Sequence, residues 1–461
     1  MSVRDRVLTR RRWLQGAVAL GASVAGAGGP RPDRFGTAAA IAQEPVALTV
    51  LIPEHWNVVE GIRDSNPEVI PPRRMWFYER VKQWEQERPE ITLEFQTATW
   101  EQIPTSFITA SQAGNPPDIV TFDSNYLQSV VRGGYLAPLD GFDYDEWDDF
   151  NPFVQNEILS VDGQKYGLSN YLASWGLMYN KRLLEEAGFT APAATWDDIV
   201  TQGKALTTDA NGDGRPDRWG FGALMTGQLN QTPPGHLSTM VWSQGGDVMD
   251  ENGMALINTP EMTRAVQQIV DLITKDQVMS QDTITLKAND EIEHLANEIW
   301  AQGLLQTSYY VPVVDKLGKE NVGFAPYPKF PGGEDFAFVE VFAWHMSTKT
   351  AADERRAQAA FDWMAYMAAV ETLILAAKYQ LGQPSRLSAV SDPIYTSDPV
   401  LKFMAEYTAT RGRPLPHMVE KEYWFESLME GVHAAILGQN SVEGALQAAQ
   451  DKYTSRARRS A

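Results

Sequence analysis

The chain has 461 residues, no cysteine, and 59 acidic against 39 basic side chains, for a net charge of −20. That length exceeds one ordinary hydrophobic core and points to two domains. The charge disfavours nucleic acid and anionic membrane surfaces as partners, and the absence of thiols excludes disulfides, a cysteine nucleophile and a lipid-anchored cysteine.

Residues 9 to 21 read TRRRWLQGAVALG. A basic stretch from Arg4 to Arg12, an apolar run from Trp13 to about Ala27 and the site Ala40-Ile41-Ala42 have the three parts of an export signal. The order Thr9-Arg10-Arg11-Arg12-Trp13-Leu14-Gln15 resembles a twin-arginine signal, with Trp where Phe is usual and Gln where Lys is usual. An ordinary secretory signal is the alternative. The run falls short of the about 20 apolar residues that a membrane anchor needs. Cleavage before Gln43 would leave residues 43–461, enough for two domains of about 200 residues each. The expected location is the periplasm or the exterior, free or tethered by an uncleaved signal.

After this segment, ALTVLIPEHW is a β-rich run from Ala47 to Ile52 that stops at Pro53. NPEVIPPRR, near residue 70, reads as a surface excursion. An amphipathic helix is expected around Met75 to Gln86, with Trp76, Phe77, Val81 and Trp84 on one face. ITLEFQTATW alternates like a strand, and PPDIVTFDS opens another buried strand. This rhythm reads as α/β with a mostly parallel sheet. WGLMYN continues as a strand, and KRLLEEAGF as a helix stopped by Gly188. Thr195 is placed to cap the helix that follows it. The clearest helix is NTPEMTRAVQQIVDLITKD, capped by Thr259, opened by Pro260, with Met262, Val266, Ile269, Val270 and Ile273 on one face.

Catalytic motifs are scarce. The six histidines are scattered without metal-ligand spacing, and no G-x-S-x-G, P-loop or dinucleotide-binding glycine triplet is present. The acidic run DYDEWDDF, residues 143–150, reads as a solvated loop, with a glycosidase carboxylate pair as the sharper alternative. DANGDGRPD sets Asp209, Asn211, Asp213 and Asp217 around Gly214 like the start of a calcium loop, but Gly220 stands where the closing Glu belongs. A polar turn is the plainer reading, so no cofactor is expected beyond a structural calcium. Fourteen tryptophans are present, and Trp56, Trp100, Trp175, Trp242, Trp344 and Trp424 fall at strand ends or loop starts. Core packing is the better account of any one of them. As a set they suit a sugar cleft, where C–H faces of a pyranose pack on aromatic rings.

NPPDIVTFDSNYLQSVVRGGYLAPLD, YGLSNYLASWGLMYNKRLLEEAG and ATWDDIVTQGKALTTDANGDGRPDRWGF resemble successive signatures of extracellular solute-binding proteins of ABC importers, carbohydrate-binding branch. WSQGGDVMDENGMALINTPEMTRAVQQIVDLI and HAAILGQNSVEGALQAAQDKY continue the likeness. It implies a two-lobe periplasmic-binding-protein fold, each lobe a mostly parallel sheet flanked by helices, with the ligand in the interlobe cleft. Lobe 1 would comprise residues 43–168 and 328–383, and lobe 2 residues 169–327 and 384–461. Crossings are suggested near Leu168 to Leu172, Phe324 to Pro328 and Gln383.

Carried over by motif, the ligand-binding residues would be Asp123, Asn125 and Tyr126 at the lobe edge and Trp56 after the first strand. Tyr309 and Tyr310 lie where a pocket aromatic is common, and Trp424 where a stacking Trp is. Trp175 and Trp242 are weaker candidates. Two stretches depart from the family pattern: IWAQGLLQTSYYVP, before the pocket aromatic, and FAFVEVFAWHMS, which brings Glu340 and Trp344 toward the cleft instead. The implied function is capture of a sugar, oligosaccharide or polyol by a monomer and delivery to ABC permease subunits. One alternative is a phosphorylated polyol such as glycerol 3-phosphate, with Arg386 as its cation. The other is an exported, cofactor-free glycoside hydrolase.

Overall fold

The computed structural model describes residues 45–56, 74–100, 102–227, 232–287, 289–379 and 382–460. The expected export signal and most of the Pro-rich excursion near residue 70 lie outside them.

Strand β1 (Val46–Pro53) runs parallel to β2 (Ile91–Ala98) on one edge and to β3 (Ile119–Asp123) on the other. The helix between β1 and β2, Met75–Glu87, buries Trp76, Phe77, Val81 and Trp84, the face that the apolar spacing marks. A small hairpin, β4 (Ser160–Val161) and β5 (Gln164–Lys165), precedes β6 (Leu168–Asn180). At about 3.3 Å per residue, β6 extends about 40 Å, long enough to belong to two halves of the molecule. Residues Leu168 to Ser174 pair antiparallel with β9 (Ala337–Met346). Residues beyond them pair with β7 (Gln302–Gln306) on one edge and β8 (Val322–Ala325) on the other. β9 also lies antiparallel to β3, so the main order is β2-β1-β3-β9-β6-β7, with β10 (Gly412–Arg413) parallel to β9. Among the named strands, parallel pairing is thus confined to β1–β3 and to β10 with β9, whereas the strands joining the halves are antiparallel. A chain that passes out along β6 and returns along β9 must reverse direction. Gln383 gives a third link, exchanging backbone hydrogen bonds of 2.9 and 2.8 Å with Leu172.

Each half has its own apolar core. In the first lobe Trp56, Phe77, Trp84, Trp344 and Trp363 are buried together, with Trp84 edge-on to Trp363 at 5.2 Å. In the second, the helix Pro260–Thr274 buries Met262, Val266 and Ile269 beside Trp196 and Leu237. Local signals set the helix ends. The Thr195 hydroxyl accepts from Asp198 N at 3.1 Å while the Asp198 carboxylate accepts from Thr195 N at 2.9 Å, a reciprocal box. The Thr259 hydroxyl accepts from Met262 N at 3.1 Å. Gly188 follows Lys181–Glu186 at φ +85°, where a Cβ would strain the turn.

Candidate ligand-binding cleft

Along β9, side chains alternate between the sheet faces, so Phe338, Glu340, Phe342 and Trp344 share one side. Phe338 stacks on Trp175 in the second-lobe core, with centroids 4.7 Å apart. Trp344 lies 6.0 Å from Trp56 in the first-lobe core. Glu340, only 4% exposed, therefore sits at the junction of the lobes. Its Oε1 accepts from Asn125 Nδ2 at 3.3 Å, and the Asn125 backbone N–H donates to Asp123 Oδ1 at 2.9 Å. Asp123 ends β3, so the first lobe supplies this pair. The second lobe supplies Lys421, at the start of the helix Lys421–Ile436, 5% exposed, with Nζ donating to Leu415 O at 3.4 Å. Tyr171 of β6 stacks on Phe342 at 4.5 Å, and Trp100 meets Phe342 edge-on at 5.1 Å.

Removal from water governs the charge of this cluster. Burial pushes the Glu340 carboxyl well above the usual range and nearby Asp123 adds to it, while Lys421 and Asn125 pull the other way. Burial lowers Lys421 to about 8 despite the attraction of Asp123, Glu422 and Glu340. The result is a carboxyl that gives up its proton less readily than usual and an ammonium that holds its proton weakly, both enclosed. Contacts across the junction keep it enclosed. Ser129 Oγ, on the first-lobe helix Leu127–Arg132, donates to Glu422 Oε1 at 2.7 Å. His417, lowered to about 4 chiefly by burial and then by Lys421, lies against the backbone of Glu157 and Ile158.

Tyr171 also borders a cavity with about 360 Å³ of empty space, counting the part open to solvent. Trp56, Asn170, Ser308, Gln383 and Tyr395 line it too.

The structure brings Asp123, Asn125 and Glu340 together and sets Trp56 on the cavity wall. Tyr309 is half-buried beside Ser308. Tyr310 instead donates its hydroxyl to Asp398 Oδ2 at 3.2 Å. Tyr126 is buried in a first-lobe cluster with Phe107 and Phe122. Trp344, Trp175 and Trp424 are packed in lobe cores, Trp424 against Phe425 at 5.2 Å. Trp242 is buried as well, with the Arg413 guanidinium 4.4 Å from its ring centre.

Arg386 is wholly buried away from this cluster. It donates to Ala368 O at 3.0 Å and Glu146 O at 3.1 Å, bonds the Tyr144 hydroxyl, and pairs with Glu146 at 3.0 Å and Asp149 at 3.6 Å. The acidic run 143–150 is thereby tied down as its counter-charge. In the 209–217 loop, Asp209 accepts from the backbone N–H groups of Gly212 at 2.7 Å and Gly214 at 2.8 Å, and Asp217 from Ala210 N at 2.8 Å. Among the described residues, no three His, Cys, Asp or Glu side chains converge as a metal site. Sequence reasoning missed Lys421, Tyr171, Asn170 and Gln383. Lys421 stands three positions before Trp424, but no local signal distinguishes the others.

Two lobes are thus joined by shared strands, with polar groups enclosed at their junction. Residues 72–371 match the family of bacterial extracellular solute-binding proteins, and the chain belongs to that family. A Brucella abortus (strain 2308) protein, described only as a binding protein, is 28% identical over 265 residues, covering 56% of this chain and 61% of its own length. The arabinooligosaccharide-binding protein of Halalkalibacterium halodurans is 28% identical over 209 residues, covering 43% of this chain and 42% of its own. The chain thus matches about three-fifths of the former relative and two-fifths of the latter. Maltose-bound T. maritima MalE3 superposes with a TM-score of 0.76 at 21% identity, over 89% of this chain and 99% of that one. The two-lobe periplasmic-binding-protein fold is the shared architecture.

Proposed function

We propose that this protein captures a neutral sugar, oligosaccharide or polyol outside the cytoplasm and hands it, unaltered, to the membrane subunits of an ABC importer. The enclosed cluster of Asp123, Asn125, Glu340 and Lys421, flanked by the rings of Tyr171, Phe342 and Trp100, carries this reading. It offers donors and acceptors for hydroxyls, and ring faces for C–H surfaces. The oligosaccharide named for the H. halodurans relative and the maltose in the T. maritima structure support the same ligand class. A phosphorylated polyol suits the site less well, because the Arg386 guanidinium is engaged elsewhere.

The protein acts as a monomer, and closure is its signal. A ligand that binds the closed form better than the open form shifts the lobe equilibrium toward closure. No bond of the ligand is made or broken.

The test is thermal unfolding of residues 43–461 against neutral saccharides, polyols and their phosphate esters. A ligand at about 1,000 times its Kd adds about 4 kcal/mol to the folded state. A rise in melting temperature with a neutral saccharide, recovered unchanged, is expected. Hydrolysis of that saccharide, or a response to phosphate esters alone, would overturn the proposal.

A further inference from the structure

The loop between β10 and the helix Lys421–Ile436 belongs to the second lobe, where its Leu415 and Met418 are packed in the core. Between these two anchors, His417 reaches the first lobe and lies against the backbone of Glu157 and Ile158. Those residues end the single turn Val154–Ile158, which buries Val154 and Ile158 beside Phe107 and Phe122. The imidazole is therefore held between the lobes, and its Nδ1 is buried without a hydrogen-bond partner. The charges that act on it most are both positive: Lys421 on its own lobe, then Arg132 at the end of the first-lobe helix Leu127–Arg132. The acids nearest to it on its own segment are engaged, Glu420 with Arg456 at 2.9 Å and Glu422 with Ser129 at 2.7 Å. Glu157 is exposed.

We propose that His417 is a proton-operated latch, which holds the lobes together while neutral and lets them part when protonated. The inference rests on the reading of lobe closure as the signal and adds its regulation. A proton arriving from solvent would place an N–H on Nδ1 where no acceptor waits, and a second cation beside Lys421 and Arg132 out of water. Parting of the lobes returns the ring to water and relieves both. Burial lowers this imidazole from 6.5 to about 4, and the two cations add to the effect. Its contribution to closure is thus complete above pH 6.5 and is lost progressively as pH falls from 6.5 toward 4. Between pH 7.5 and pH 5 the closed-to-open ratio falls by about thirtyfold through this group alone. Glu340 acts in the opposite sense, because burial at the junction raises its carboxyl and acid then favours closure. His236 and His345 are also buried, but each within one lobe, the first bonded to the Tyr327 hydroxyl at 2.7 Å and the second stacked on Phe122 at 4.2 Å. Charging them opposes folding and does not distinguish open from closed lobes.

The chain has no cysteine of its own, so spin labels can be placed on Gln112→Cys in the first lobe and Gln439→Cys in the second, both exposed positions. Pulsed electron paramagnetic resonance on the labelled full chain then reads the distance between lobes, with circular dichroism at each pH as the check on folding. His417→Gln keeps a donor toward the backbone of Glu157 and Ile158 and does not titrate. Between pH 7.5 and pH 5 the closed-to-open ratio is expected to fall at least tenfold further in the His417 protein than in His417→Gln, with Glu340 common to both. An equal response in the two, or none in the His417 protein, would overturn the latch. So would a change of distance that appears only as secondary structure is lost. Should His417→Gln not fold, the imidazole resonances of His417 give the same answer: titration in step with the distance supports the latch, and titration without any change of distance overturns it. No ligand enters these measurements, so a protein that binds no neutral saccharide in the melting test would overturn the functional reading and leave the latch to be judged on its own.

Discussion

Replacing Lys421 by Met keeps the length of the stem and deletes the ammonium from the lobe junction. Burial lowers this lysine from 10.5 to about 8. At about 1.4 kcal/mol per pH unit, keeping it charged costs the native state about 3 kcal/mol at pH 7. The sign follows from proton counts. Between pH 8 and 10.5 the unfolded chain holds this proton while the native protein has released it. Wild-type stability therefore gains from this group as pH rises through that window, and bears the full penalty below it. Lys421→Met should be more stable than wild type by about 2–3 kcal/mol at pH 7, with the gain shrinking toward zero near pH 10.5. Urea unfolding of both proteins at pH 7 and pH 10 measures it. The same variant should bind its saccharide more weakly, since a group retained at a cost to folding is retained for the cleft. A variant less stable than wild type at pH 7 would show that attraction to Asp123 and Glu340 outweighs burial, and the account of the cluster would be wrong.

Glu422→Ala removes the hydrogen bond to Ser129 across the lobes. An exposed contact of this kind contributes about 0.2–1 kcal/mol, so ligand affinity should fall a few-fold and the ligand-free radius of gyration should rise in X-ray scattering. No change in either would mean that the contact does not bias closure. Gly222→Ala would drive a methyl group into the Trp300 ring, while Gly222 O stays engaged by Leu304 N at 3.0 Å. A loss of about 1–3 kcal/mol is expected, and an unchanged melting curve would show that Trp300 can yield. Burial works to raise the Asp118 carboxyl, but Arg356, Thr49 and Thr350 more than offset this, leaving it below its usual 3.8. Its stabilisation is present above pH 3.8 and is lost as pH falls through the lower native value. Asp118→Asn should cost about 2–3 kcal/mol at pH 7, below the about 3–5 kcal/mol of a fully buried pair because Arg356 is partly exposed. Once the pH falls below the lowered native value the difference should close, and a constant difference across the range would assign the effect to packing.

Local chemistry was readable in proportion to how locally it acts. Thr195 and Thr259 cap helices through atoms three residues away, and the apolar spacing of Met75–Glu87 decides its buried face without outside help. The cleft is different. Asp123, Glu340 and Lys421 come from three distant segments, and only the strand order brings them together. The tryptophans show the same limit from the other side. An indole in a core and an indole under a sugar have the same composition, and Trp175, Trp344 and Trp424 are each walled by neighbouring rings or aliphatic groups. Asn170 and Gln383 look like ordinary polar residues in the sequence. Only the fold shows that both side chains are buried without hydrogen-bond partners.

The position of β9 bears on the order in which the chain can fold. β3 and β6 do not pair with each other, because β9 lies between them. During synthesis, β3 is complete at residue 123 and β6 at residue 180, but the strand that covers both edges ends at residue 346. For the whole interval the nascent chain carries two bare edges, each able to pair with another molecule. At about 5–20 residues per second, the roughly 170 residues after β6 keep those edges open for about 10–30 s. Truncations ending before β9 should therefore aggregate rather than fold as a separate half.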